Sequence, residues 1–167
     1  MRTKLNFILT VMVISVGLSA CFKNEEYPPE PIISNPQFTF IGDSAQLAFD
    51  FTDGDGDIGL EPNDTIAPFN PDSYYHYNLH IDYYEKDDEE GWIPGTDIEG
   101  EPVVFQYRIQ PIEVKGEAKG LKGTIEVIMI NYKNAFSSDS DTIRYSIRLI
   151  DKALNESNQL QSPEVVS

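Results

Sequence analysis

The chain has 167 residues, and its 28 acidic side chains against 12 lysines and arginines give a net charge of −16. That balance excludes nucleic acid as a partner, because neutralising phosphates takes clustered cations, and it denies the chain electrostatic attraction to anionic lipid. A single cysteine leaves no disulfide within the chain, so the core or a bound ion must supply the stability.

At the N-terminus, Arg2 and Lys4 precede an apolar run over residues 7–18 broken by Thr10, Ser15 and Gly17. A transmembrane helix needs ~20 apolar residues, so this shorter run reads as a signal segment. Leu18-Ser19-Ala20-Cys21 closes it and resembles the lipobox of bacterial lipoproteins. The resemblance implies diacylglycerol transfer to the Cys21 thiol, cleavage before it, and a mature chain that begins with an acylated cysteine. The alternative is an ordinary secretory signal cut near Ala20, which would leave Cys21 as an exposed thiol. Each buried lipid CH₂ contributes roughly 0.8 kcal/mol, so two or three chains hold a protein on its membrane. Residues 1–20 carry two bases and no acids, so the mature part has 10 bases against 28 acids, a net charge of −18.

Residues 21–36 contain Pro28, Pro29, Pro31 and Pro36, a composition that favours an extended tether. Lys23, Glu25 and Glu26 resemble the charged export signal of Bacteroidota surface lipoproteins. That resemblance implies the outer membrane, and its outer surface over its periplasmic face. The folded part is then 37–167, about right for one domain with one core.

Alternation of apolar and polar residues dominates this part. The chain predicts a short strand over 37–41 and a half-buried strand carrying Ala45, Leu47, Phe49 and Phe51. A second half-buried strand carries Tyr75, Tyr77, Leu79, Ile81 and Tyr83, followed by an 87–91 turn into Trp92 and Ile93. Val103, Phe105, Tyr107 and Ile109 mark another. Residues 124–130 are apolar on both faces, as expected of a central strand. Ile143, Tyr145, Ile147 and Leu149 mark the next, with a last strand at 163–166. Seven to eight short strands in ~130 residues indicate an all-β, antiparallel sandwich. The run from Ile143 to Asn158 is similar to the penultimate strand and following turn of bacterial Ig-like domains, where Asp-Lys/Arg-Ala-Gly-Asn follows the strand. Leu154 stands in place of the usual glycine. The resemblance implies an Ig-like β-sandwich and carries no activity with it.

The strongest chemical signal is the run from Asp53 to Asp64, in which Asp53, Asp55 and Asp57 are separated by glycines. Carboxylates spaced this way can aim several oxygens at one centre, and calcium takes 6–8 oxygen ligands. Against a twelve-residue EF-hand loop, Gly59 would offer its carbonyl at position seven, Glu61 falls at nine and Asp64 at twelve. Ile58 stands where that loop needs glycine, and the flanks read as strand, so the run is an acidic calcium-type loop and not an EF-hand. The Asp-Gly-Asp-Gly-Asp-Ile-Gly run also resembles one recurring in Bacteroidota lipoproteins. In an Ig-like sandwich the turn after the penultimate strand reaches the same end, which brings Asp151 and Asn155 towards the loop. Residues 114–123 should arrive there too, with Lys115, Lys119 and Lys122. Three readings stand open: Asp53, Asp55, Asp57, Gly59, Glu61, Asp64 and Asp151 as a Ca²⁺ site, neutralisation by those lysines, or aspartates that cap turns.

Elsewhere the signals are weaker. His76 and His80 on one strand would lie ~13 Å apart, too far to share an ion. Tyr74, Tyr84 and Trp92 offer an aromatic face for a glycan or a peptide, although tyrosine is also a good strand and core residue. No catalytic residue is legible. The sequence favours a non-enzymatic binding or scaffolding module, attached to the membrane by its lipid, with a glycan or an envelope protein as partner. The alternatives are a small envelope hydrolase using paired carboxylates and a subunit of an export or motility complex.

Overall fold

The computed structural model describes residues 26–112, 120–133 and 140–166. The signal segment, Cys21, Lys115 and Lys119 lie outside the described residues. The strands are β1 Ile32–Ile41, β2 Ser44–Asp53, β3 Leu79–Asp87, β4 Gly91–Pro94, β5 Val104–Tyr107, β6 Leu121–Ile130, β7 Thr142–Leu149, β8 Leu160–Gln161 and β9 Val165–Val166. All pairings are antiparallel. One sheet has the order β1-β2-β6. The other runs β4-β3-β7-β8, with β5 also on β3 and β9 also on β7. This is an all-β, antiparallel sandwich, as the alternation implied, with nine strands because the last segment divides into two short pieces along β7.

The period-two pattern sets the core. Ile33, Leu47, Phe49, Phe51, Ile125, Val127 and Met129 of the smaller sheet face Leu79, Ile81, Tyr83, Ile143, Tyr145, Ile147 and Leu149 of the larger. The buried Tyr145 hydroxyl donates to the Tyr132 carbonyl, tying β7 to the chain just beyond β6.

Three expectations need correction. The tether does not run to residue 36, because β1 begins at Ile32 and buries Ile33. Asn158 holds that strand by accepting from the Ile33 N–H and donating to its carbonyl. Pro36 is tolerated because the register shifts between Ser34 and Gln37, with Asn35 at φ 52°, and a bulge on an edge strand needs no ladder donor. Nor is the tyrosine-rich segment a strand from Tyr75. Tyr74–His76 forms a 3₁₀ turn, capped by the Ser73 hydroxyl accepting from the Tyr75 N–H, so His76 is off the strand that carries His80. Finally, β6 is an edge strand, with Ile128 and Ile130 exposed on its outer face.

Candidate metal centre

Two strand ends build the site. β2 delivers Asp53 as its last residue, and the chain leaving β7 continues through Ile150 to Asp151. Gly54 follows in a space that admits no side chain: its N–H donates to the Pro28 carbonyl at 2.8 Å, and a Cβ there would lie 2.2 Å from the Tyr27 carbonyl oxygen. Gly56, at φ 76°, supplies the left-handed turn that brings Asp57 back. Ile58 and Leu60 are buried and anchor the far end of the loop, with the Leu60 N–H on the Ile109 carbonyl. That burial explains why isoleucine stands where an EF-hand would have glycine.

The second loop is equally held. The Asn155 backbone N–H and side-chain amide donate to the two oxygens of Asp151 at 2.7 and 2.8 Å. Leu154 takes φ 72°, so the turn keeps the left-handed conformation usual for glycine even with leucine in place. The Lys152 N–H reaches the Asp57 carbonyl at 3.3 Å and joins the two loops. Asn78, almost fully buried, accepts from the Ile109 N–H through its side chain and from the Ile150 N–H through its carbonyl. A buried amide between two apolar strand segments was a findable signal; the sequence reading passed over it, as it did Arg108.

Asp53, Asp55, Asp57 and Asp151 converge, each offering an oxygen within 4.8 Å of the others, a group that could hold a metal ion. Asp53 and Asp151 are buried, Asp57 is half-buried and Asp55 is exposed, so the centre opens to solvent on one side. Asp53 accepts from the Asp57 N–H through Oδ2 at 2.9 Å, while its Oδ1 is buried without a hydrogen-bond partner. Asp57 Oδ1 is also buried and unpartnered. Burial, then Asp55 and Asp57, push the Asp53 carboxyl up to about 6. Burial, then Asp151 and Asp55, push Asp57 up to about 6. Asp151 is raised as well, chiefly by burial and against the lowering bonds from Asn155.

Glu61 and Asp64 stand outside this cluster. The Asp64 carboxylate accepts from the Glu61 N–H and from Lys152 Nζ at 3.0 Å, which holds its pKa low. Arg108 donates to the carbonyls of Glu61, Asp64 and His76. Turn capping therefore describes this half of the run, together with a pairing to Lys152, which is none of the three lysines the sequence pointed to. Gly59 is required for packing, since at φ 113° a Cβ would meet Pro111 at 2.4 Å. Lys122, on β6 opposite Thr52, only adds to the hydrogen bonds from Asn35 and Thr124 that hold the Asp50 pKa low. No cation among the described residues forms an ion pair with the four clustered aspartates.

The aromatic face divides. Tyr84 and Trp92 flank the Arg144 guanidinium at 5.8 and 4.3 Å. Tyr74 stacks instead on His80, with ring centres 4.4 Å apart.

No protein-family model matches the chain, and no curated protein is significantly similar to it. Among solved structures it is similar to wild-type OgpA from Akkermansia muciniphila, at 14% identity and a TM-score of 0.34. That match covers 86% of this chain and 29% of the other, so the chain spans under a third of its length.

Proposed function

We propose that the protein is a lipid-anchored, non-enzymatic binding module of the outer membrane whose Ig-like domain is stabilised by calcium. The observation that carries the calcium reading is the fully buried Asp53, with an unpartnered oxygen among three other carboxylates. A buried polar oxygen without a partner is costly, and four clustered carboxylates repel. One hard divalent cation relieves both costs. Calcium–oxygen distances of 2.3–2.6 Å put ligands on opposite sides of the ion about 5 Å apart, which the 4.8 Å spread matches. The donors are all oxygen, which suits calcium better than a softer metal.

The same geometry speaks against a hydrolase at this site. A glycosidase pair needs both carboxyls open to substrate. Here Asp53 and Asp151 are buried. Acylation of Cys21 would supply the membrane attachment that so acidic a domain lacks. Five residues lie between Cys21 and Tyr27, which lies against Gly54, so even a fully extended chain would hold the ion site within about 25 Å of the lipid.

Thermal unfolding with calcium and with a chelator tests the reading. At a calcium concentration 100 times Kd, stability rises by about 2.7 kcal/mol, or roughly 5–10 °C in Tm for a domain of this size. An unchanged Tm with no heat on calorimetric titration would sink it.

A further inference from the structure

The outer face of the larger sheet holds an arginine that the fold does not account for. Arg144 on β7 lies beside Tyr84 on β3, and Trp92 on β4 stands opposite Lys86 on β3. The Arg144 guanidinium crosses the Tyr84 ring to lie 4.3 Å from the centre of Trp92. Its Nε is buried without a hydrogen-bond partner, and the side chain forms no ion pair among the described residues. Neighbouring cations on this face are matched: Lys86 meets Glu164 at 3.4 Å, and Arg148 meets Asp82 and Glu156 at 3.5 Å. Arg108 also lacks a carboxylate, but it donates to three backbone carbonyls, whereas Arg144 has neither among the described residues.

From this we infer that Arg144, Trp92 and Tyr84 form a docking site for a carboxylate on an acidic peptide segment of a partner protein. A guanidinium presents a fork of donors that fits a carboxylate bidentately, and two rings that fix its plane reduce the entropy lost on binding. Tryptophan, tyrosine and arginine are also the residues that dominate protein interfaces. A sugar-stacking platform needs an open ring face, and over Trp92 lie Arg144 and, at 5.7 Å, Lys86. The occupied ring favours an acidic peptide over a glycan. The inference rests on the binding-module reading and names its partner's chemistry.

Trp92 is the only tryptophan in the chain, so its fluorescence reports on this site alone. Full-length protein in detergent is titrated with acetylated tetraglutamate, with tetraglutamine and with tetragalacturonate, each in excess calcium and in chelator. The expected result is a saturable change with tetraglutamate, at least about ten-fold weaker in Arg144→Gln, weaker in 0.5 M NaCl and absent with tetraglutamine. Arg144→Lys keeps the charge but not the fork, and should lose several-fold in affinity with an unchanged Tm. A silent Trp92, an equal response to tetraglutamine, or an Arg144→Gln protein of native Tm that binds as well overturns the inference. So does tighter binding of tetragalacturonate, which would make the ligand an acidic sugar. Calcium stabilisation with a silent Trp92 removes this inference alone. Tetraglutamate binding without any calcium effect removes the metal reading alone.

Discussion

Within the twelve residues from Asp53 to Asp64, two neighbouring groups of acids are treated in opposite ways. Asp64 lies at the surface with Lys152 on its carboxylate and a backbone N–H beside it, and its pKa is lowered. Asp53, eleven positions earlier, is buried with three other carboxylates around it, and its pKa is raised. Side chains of one chemical type thus end in a satisfied turn at one end of the run and an unsatisfied cluster at the other. The difference shows which acids a fold has already neutralised and which still require a partner.

The largest effect is expected from Asp53→Asn. It keeps an oxygen for the Asp57 N–H but removes the charge, so without calcium the Tm should rise as repulsion falls. With calcium the wild-type gain of roughly 5–10 °C should vanish, as differential scanning calorimetry would read. Equal calcium gains in both proteins would place the ion elsewhere.

Acidity separates the two groups next. A raised carboxyl pKa means the folded state binds more protons than the unfolded one between the ordinary value of 3.8 and about 6, so stability falls as pH rises through that window. In chelator, lowering the pH from 7 to 5 should therefore raise Tm. In calcium the same change should lower it, because protons displace the metal. For Asp64 the sign is opposite: its contribution is present above the ordinary carboxylate range and is lost only as pH falls through its lowered pKa. A calcium-free Tm that simply declines from pH 7 to 5 would contradict the raised values.

The smallest effect should come from Asp64→Ala. Its partner Lys152 is solvent-exposed, and such pairs contribute little. The variant should keep the full calcium gain in Tm, whereas a reduced gain would bring Asp64 into the site.

Much of this was legible in the chain because it rests on local rules. Alternation over residues 45–51 and 143–149 gave β2 and β7, and acid-glycine spacing marked the loop. Three segments misled for local reasons as well. Tyr75 and Tyr77 continue the apolar alternation of Leu79 and Ile81 but belong to a turn set by Ser73. Pro36 suggested tether, yet a bulge absorbs it. The apolar residues of β6 suggested a central strand, although Ile128 and Ile130 face outward at an edge. Arg144, Trp92 and Tyr84 are far apart in sequence, and no spacing could show that one guanidinium lies across both rings.

By itself, the sequence determined the sandwich class and the acidic loop, which follow from periodicity and residue spacing over a few residues. The nearness of Asp151 was what the resemblance to Ig-like domains implied. Only the tertiary structure decided that Asp53 is buried with a free oxygen, that Asp64 is paired, and that Arg144 has no carboxylate partner among the described residues. Burial and pairing depend on which strands become neighbours, and charge is either matched or left over only once they have.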